Sequence, residues 1–202
     1  MNVKKFMVLT VLTIILSGCN TSNTKQEIVK NTKTVSSDAF EIQEFIMGTT
    51  ISQRVYGDEA ERVAGKVSDR LKELEKSMTI NTAGGVINQL NDYAGKKQVK
   101  LTKDAVYVIE KAIGYAALSH GAFDITIGPL VKEWGIITEH PEVPKDEKIE
   151  ELLKLVDYKK IDLDKEKDQV MLRDEGQVID LGGIAKGFGG DEAIEIYKKE
   201  GI

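Results

Sequence analysis

The apolar positions of the chain change their period near Phe40 and again near Gly57. The residues between these two points are rich in β-branched and aromatic side chains and are interrupted at Gly48, a pattern that predicts a pair of strands. Apolar residues then recur every three or four positions, as in an amphipathic helix that Asp58 would cap together with Glu61. The predicted elements are strands near 40–46 and 50–56, joined around 47–49, and a helix over 59–77.

The rest of the chain mixes helical and strand-like patterns without a repeat. Thr102 is placed to cap a helix with one apolar face, and Gly121 follows the end of that helix. Residues 122–140 show no clear period. Strands and helices that do not alternate strictly indicate an α+β fold. The predicted elements are helices at 86–91, after Thr102, at 146–156 and at 188–199, and strands at 98–101, 160–163, 169–172 and 177–181.

The first nineteen residues have the features of a bacterial lipoprotein signal. Lys4 and Lys5 precede an apolar stretch that is shorter than the roughly 20 residues of a membrane-spanning helix. The stretch ends in Leu-Ser-Gly-Cys, which resembles a lipobox, where lipid joins the Cys thiol and the chain is cut just before it. An ordinary secretory signal with a chance Cys is the alternative. We expect residues 1–18 to be a signal peptide and a lipidated Cys19 to hold the protein on the extracytoplasmic face of the bacterial cell membrane.

Composition defines the class of protein. The 202 residues carry 28 Lys and Arg against 33 Asp and Glu, a formal net charge of −5, and 41% of them are hydrophobic. These values are typical of a globular protein, and the acidic balance argues against sequence-independent nucleic-acid binding. The single Cys excludes an intramolecular disulfide and a Cys-based zinc site. Residues 19–38 hold few apolar side chains and are expected to form a flexible tether before a folded domain at 39–202.

Residues 179–187 are suited to bind a phosphate group. An apolar strand leads to Asp180, two glycines follow, and Lys186 precedes a helix. Glycine lets a ligand approach the backbone closely, and a helix N-terminus with a nearby Lys favours an anion. The spacing fits neither a Walker A loop nor a dinucleotide fingerprint. A Gly-rich turn with a solvated Lys is the alternative.

Asp124 is a second candidate for ligand binding. It lies between Phe123 and Ile125, so its carboxylate needs hydrogen-bond partners. A structural Asp that caps a turn is the alternative interpretation. His120 and His140 lack the spacing of a metal site and have no nucleophile motif near them, so we expect them to have no catalytic role.

Three segments of the chain together resemble the ApbE family, the FAD:protein FMN transferases. They are Met47-Gly48-Thr49, GAFDITIGPLVKEWG at 121–135 and IDLGGIAKGF at 179–188, and their order and approximate spacing match the family. Members are commonly exported lipoproteins. The resemblance implies an ApbE-like α+β fold and Mg²⁺-dependent transfer of FMN from FAD to a Ser or Thr hydroxyl of a target protein, with release of AMP. A divalent cation suits this reaction because it neutralises charge on the pyrophosphate oxygens.

The resemblance also implies which residues bind the flavin nucleotide. Met47 would contact the flavin, and Asn81 falls where the family has another FAD contact. Ala122, Phe123 and Asp124 would line the adenosine or the isoalloxazine part of the site. Each of these residues is therefore a predicted FAD contact.

The phosphate and metal contacts implied by the resemblance come from the third segment. Asp180 and Lys186 would bind FAD, and the Gly183 carbonyl would ligate Mg²⁺, a hard ion that prefers oxygen. The chain departs from the family at Gly85-Val86, where a Ser-Glu pair is usual. The family also continues past residue 202 with a segment that completes the metal site. We therefore expect these 202 residues alone not to transfer FMN.

Two other functions fit the same motifs. A Mg²⁺-dependent FAD pyrophosphatase would use water in place of the protein hydroxyl. A flavin-binding lipoprotein without catalytic activity would release no AMP. Products formed from FAD distinguish the three functions.

Overall fold

The computed structural model describes residues 32–36, 39–80, 85–136, 138 and 140–202, the first of these ranges through its backbone. Its elements are mixed helix and sheet, as the predicted α+β class requires. Among the described residues, no helix combines the length and the apolar character needed to cross a membrane.

The N-terminal elements form an antiparallel sheet with a long helix packed on it. Strands β1 (Thr32–Ser36), β2 (Ala39–Ile46) and β3 (Thr49–Val55) pair in that order. Helix α1 (Ala60–Met78) contacts β2 and β3 through its apolar face. The strand pair and the helix confirm the predictions for this region. Strand β1 lies in the segment predicted as a tether, so these five residues have a regular backbone there.

The remaining elements surround a second sheet and share one hydrophobic core with α1. Three strands pair antiparallel in the order β4-β6-β5, and α6 packs against α1. A short 3-10 helix precedes β5. The bounds are α2 (Val86–Asp92), β4 (Val99–Lys100), α3 (Lys103–Leu118), α4 (Gly128–Glu133), α5 (Asp146–Leu153), the 3-10 helix (Tyr158–Lys160), β5 (Ile161–Asp164), β6 (Gln169–Leu172) and α6 (Ala185–Glu200).

Two helix starts test the predicted caps. The Thr102 side chain accepts a hydrogen bond from the Ala105 amide at 3.2 Å, so the predicted cap of α3 is confirmed. The predicted Asp58 cap of α1 is wrong. Glu59 occupies the cap position without a side-chain cap bond, and the Ala60 amide donates to the Gly57 carbonyl at 3.1 Å instead.

The predicted strand at 177–181 is wrong, because a side chain replaces the neighbouring strand. The Ile179 amide donates to Asn91 Oδ1 at 2.8 Å, and Asn91 Nδ2 donates to the Ile179 carbonyl at 3.1 Å. Val178 forms one isolated parallel bridge with Ile127, and the Asp180 amide donates to the Ile125 carbonyl at 2.8 Å. The segment is therefore extended and buried without belonging to a sheet.

Helix α6 begins three residues earlier than the predicted 188. The amides of Ile184 and Ala185 both donate to the Leu181 carbonyl, at 3.0 and 2.8 Å, and these bonds start the helix directly after the two glycines. Lys186 therefore lies in the first turn of α6 and not in the turn before it. This shift fixes the direction in which the lysine leaves the backbone.

Candidate functional site

The turn between β2 and β3 holds a backbone conformation that its residue type disfavours. Met47 and Gly48 form a two-residue loop between the paired Ile46 and Thr49, and both have positive φ, +56° and +69°. Such type I′ turns favour Asn-Gly, because most side chains resist the left-handed region. Met47 pays roughly 1–2 kcal/mol for this conformation. Strain of this kind is commonly found at functional sites.

The Met47 side chain packs directly on helix α6. A Cβ placed at Gly189 would lie 3.1 Å from Met47 Sδ and 3.0 Å from Leu71 Cδ2, which is tighter than ordinary van der Waals contact. Gly189 is buried in α6, so its missing side chain is what lets the turn approach the helix. The contact fixes Met47 next to the first turns of α6.

A cavity of about 460 Å³ brings together three of the predicted FAD contacts. Met47, Asp180 and Lys186 line it, and we call it the Met47 cavity. The C-terminal end of α1 and the residues after it also line the cavity. The full lining is Met47, Gly48, Lys72, Glu75, Lys76, Met78, Thr79, Ile80, Asp180, Gly182, Ala185 and Lys186.

The glycine loop before α6 is organised by the side chains on either side of it. Asp180 Oδ1 accepts a hydrogen bond from the Gly182 amide at 2.7 Å, which closes a local turn. Lys186 Nζ donates to the Gly182 carbonyl at 3.1 Å and is exposed to solvent. The lysine thus stays beside the loop, and within the described part of the chain two of its N–H groups are left to meet an anion.

Phe123 and Gly183 lie together on the other side of the α6 N-terminus. Both line a groove of about 790 Å³ between α3 and α6, and a Cβ at Gly183 would approach Phe123 to 3.2 Å. The groove also has an aromatic wall, in which the rings of Tyr107 and Phe188 lie 5.4 Å apart. Ala122 lines neither this groove nor the Met47 cavity.

Asp124 forms hydrogen bonds inside the protein through both oxygens. Oδ1 accepts from the amide and the hydroxyl of Thr126 at 2.8 and 2.7 Å, and Oδ2 accepts from the Tyr158 amide at 2.9 Å. The Thr126 hydroxyl in turn accepts from the Asp157 amide at 2.8 Å. This geometry fits the alternative of a structural Asp, which holds the 123–127 loop against the 3-10 helix.

Asn81 and Cys19 lie outside the described residues. Their predicted roles as an FAD contact and as the lipidation site stay predictions. Sequence reasoning missed Asn91, whose side chain binds the backbone of Ile179 just before Asp180. It also missed Lys72 and Gly189, because neither lies in a motif.

The described residues offer a magnesium ion one recognisable ligand. No backbone or side-chain donor of this part of the chain bonds the Gly183 carbonyl, which leaves that oxygen free. No group of three or more His, Cys, Asp or Glu side chains among the described residues is placed to hold a metal ion. Magnesium prefers six oxygen ligands, usually including one or two carboxylates. The described residues therefore do not build a complete magnesium site.

Comparison with known proteins identifies similar sequences. The model of the ApbE family matches residues 47–202. An FAD:protein FMN transferase of Klebsiella pneumoniae is 29% identical over 157 residues, which are 78% of this chain and 49% of the relative. One from Haemophilus influenzae is 30% identical over 159 residues, 74% of this chain and 46% of the relative. The chain thus spans about half the length of the curated relatives it matches.

Solved structures show the same fold. The ApbE protein of Thermotoga maritima has a TM-score of 0.73 and 31% identity, covering 78% of this chain and 52% of that one. The flavin transferase ApbE of Vibrio cholerae has a TM-score of 0.73 and 21% identity, covering 86% and 55%. The matched part confirms the predicted fold.

Proposed function

The chain belongs to the ApbE family, and from this premise we propose that it carries FAD-binding residues of an FAD:protein FMN transferase. The observation that carries the proposal is the Met47 cavity. It brings Met47 together with Asp180 and Lys186, although Met47 is more than 130 residues before either of them in sequence. Met47 also keeps a strained backbone there, which an ordinary hairpin turn would not require.

The proposed reaction moves FMN from one oxygen to another. The hydroxyl oxygen of a Ser or Thr in the target protein forms a bond to the FMN phosphorus. The bond from that phosphorus to the bridging oxygen breaks, AMP leaves with the bridging oxygen, and the hydroxyl proton passes to solvent. Lys186 and the Gly182 loop would hold the pyrophosphate, because a lysine and a helix N-terminus both favour an anion.

We further propose that the reaction depends on Mg²⁺. The Gly183 carbonyl would be one oxygen ligand, and it is free to serve because no described residue bonds it. The ion would neutralise charge on the pyrophosphate oxygens. The described residues supply no further ligand set, so the dependence is tested by adding EDTA to the reaction and restoring Mg²⁺.

The test of function follows the products made from FAD. The full-length product of the gene is incubated with FAD, Mg²⁺ and a target protein, and flavin fluorescence on the target is read in a denaturing gel. Covalent flavin together with AMP supports the transferase. Free FMN together with AMP would contradict the transferase and indicate an FAD pyrophosphatase. Binding of FAD without release of AMP would indicate a flavin-binding lipoprotein without catalytic activity.

A pair of lysine variants links the activity to the cavity. Lys186→Ala removes the charge beside the Gly182 loop and should lower the rate of AMP release by about tenfold or more. Lys199→Ala removes an exposed lysine near the end of the same helix and should leave the rate unchanged. Equal rates for both variants would contradict the placement of the pyrophosphate at Lys186.

We propose that the protein acts at the membrane surface through lipid on Cys19. The support is the Lys4-Lys5 pair, the apolar stretch and the Leu-Ser-Gly-Cys ending. A lipidated N-terminus would hold the enzyme on the extracytoplasmic face of the membrane. Mass spectrometry should find a lipid-modified Cys19 at the N-terminus, and Cys19→Ala should leave the precursor uncleaved or release the protein. An intact, unmodified N-terminus would contradict the proposal.

A further inference from the structure

Glu44 is a carboxylate buried under helix α1. It lies on β2, one position past the exposed Gln43, and its residue is 5% exposed. A buried charge is costly unless it is paired and hydrogen-bonded. The partners of Glu44 therefore explain how the fold tolerates it.

A line of hydrogen bonds runs to Glu44 from helix α6. The Tyr197 hydroxyl donates to Gln53 Oε1, and Gln53 Nε2 donates to Ser68 Oγ at 2.8 Å. The Ser68 hydroxyl then donates to Glu44 Oε2. Each donor is directed toward the carboxylate, and hydrogen bonds of this direction favour its charged form. The interior of the protein thus supplies the Glu44 carboxylate with a hydrogen-bond donor that is itself held in place.

The second oxygen of Glu44 faces Lys72. Lys72 Nζ donates to Glu44 Oε1 at 2.9 Å, and the lysine side chain is 50% exposed. The hydrogen bond to Glu44 raises the pKa of Lys72, which keeps the ammonium charged at neutral pH. Of its three N–H groups, the described residues engage this one, which leaves two for another acceptor.

Lys72 and Lys186 both line the Met47 cavity. Of the charged residues around that cavity, Lys72, Lys76 and Lys186 are positive, and Glu75 and Asp180 are negative. Lys72 and Lys186 thus present two ammonium groups to one cavity of a protein that is acidic as a whole. Two cations that line one cavity favour an anionic ligand.

We propose that Lys72 binds the diphosphate of a nucleotide in the Met47 cavity and that Glu44 positions it. Glu44 fixes the lysine side chain before the ligand arrives, so less conformational entropy is lost on binding. The inference rests on the proposed function for the flavin part of the ligand. The diphosphate contact itself requires no transfer reaction, because any nucleoside diphosphate presents the same group.

The test measures dissociation constants of the full-length protein for FAD, ADP and riboflavin. Lys72→Met should weaken the binding of FAD and of ADP by about tenfold or more, as expected for a lost charge-assisted hydrogen bond. Riboflavin has no phosphate, so its affinity should not change. Lys66→Met is the matched control, since Lys66 is also on α1, is 51% exposed and is paired with a carboxylate, Glu200. It should leave all three affinities unchanged.

A double-mutant cycle tests the positioning role of Glu44. Glu44→Gln should weaken ADP binding when Lys72 is present and should have no further effect on ADP binding in the Lys72→Met protein. If Glu44 has a purely structural role, Glu44→Gln should weaken ADP binding equally in both backgrounds. That result would overturn the positioning role. If Glu44→Gln does not fold, the Lys72→Met and Lys66→Met pair still decides whether Lys72 binds the diphosphate.

The outcomes separate this inference from the proposed function. If ADP affinity depends on Lys72 but the protein shows no transfer activity, the inference is supported and the proposed transferase function is contradicted. Transfer activity with ADP and FAD affinities that do not depend on Lys72 keeps the transferase and overturns the inference. The inference is also overturned if the protein binds neither ADP nor FAD. It is overturned as well if Lys72→Met weakens the binding of riboflavin as much as that of ADP and FAD.

Discussion

Replacing Asp124 with Ala should destabilise the fold, whereas the same change at Asp180 should not. Asp124 accepts three hydrogen bonds, two from Thr126 and one from the Tyr158 amide. From the described residues Asp180 accepts one, from the Gly182 amide, and it lines the Met47 cavity. The sequence predicts both carboxylates as FAD contacts, and their different hydrogen bonds in the structure distinguish their roles.

The size of the Asp124 effect follows from what its removal leaves behind. A hydrogen bond to a charged group contributes about 1.5–3 kcal/mol, and an unsatisfied buried group costs about 1–3 kcal/mol. Thr126 is fully buried, so its hydroxyl loses its acceptor with no water to replace it. Asp124 itself is half-buried, which lets water reach part of the gap. We expect a net loss of about 2–4 kcal/mol for Asp124→Ala, against about 1 kcal/mol for Asp180→Ala.

Thermal unfolding combined with FAD titration measures both effects. A loss of 2–4 kcal/mol should lower Tm by roughly 5–15 °C in a protein of this size. Asp124→Asn should also lower Tm, because its NH₂ group would face the Tyr158 N–H. Asp180→Ala should melt within a few degrees of the wild type and still bind FAD more weakly. If Asp124→Ala melts like the wild type, the carboxylate does not hold the loop and our account of it is mistaken.

Three further predictions follow from single contacts. Gly128→Ala should lower Tm by about 4 °C or more, because the added Cβ would lie 2.5 Å from the Val178 carbonyl oxygen. An unchanged Tm would show that the backbone moves to accept the methyl group. Met47→Asn relieves the strain of the type I′ turn but loses the packing of Met47 on α6, so Tm should stay within a few degrees while FAD binding weakens. A titration that finds unchanged FAD affinity would contradict a role of Met47 in FAD binding. The hydrogen bond from Lys66 lowers the pKa of Glu200, so its stabilising effect is fully present above its unfolded pKa near 4.5 and is lost as pH falls through the lower folded value. Urea unfolding of Glu200→Gln should show a stability deficit at pH 7 that shrinks as pH falls below 4.5, and a deficit independent of pH would exclude the ion pair as its cause.

Local chemistry was predictable from the sequence where one segment contains all of its parts. The strand pair around Gly48 and the Thr102 cap depend on residues close in sequence, and both were predicted. The start of α6 was placed too late, because the glycines before it are typical of a turn. The bonds to the Leu181 carbonyl nevertheless start the helix directly after them.

The wrong strand at 177–181 and the missed lysine have a different origin. An apolar run predicts a strand, but no sequence pattern indicates that the Asn91 amide will occupy its hydrogen-bonding groups. Glu44 on a strand would ordinarily be assigned to the solvent face. Only the packing of α1 over β2 shows that it is buried and paired with Lys72. Such pairs depend on tertiary contacts and leave no signal along the chain.

The Asn91 contact also links the opening of two distant segments. The amide and the carbonyl of Ile179 both bond a side chain that is 88 residues away in sequence. When α2 detaches from the core, the segment that leads to Asp180 loses both bonds at once. Native-state hydrogen exchange at the Ile179 amide should therefore follow the detachment of α2, so the two segments form one cooperative opening unit.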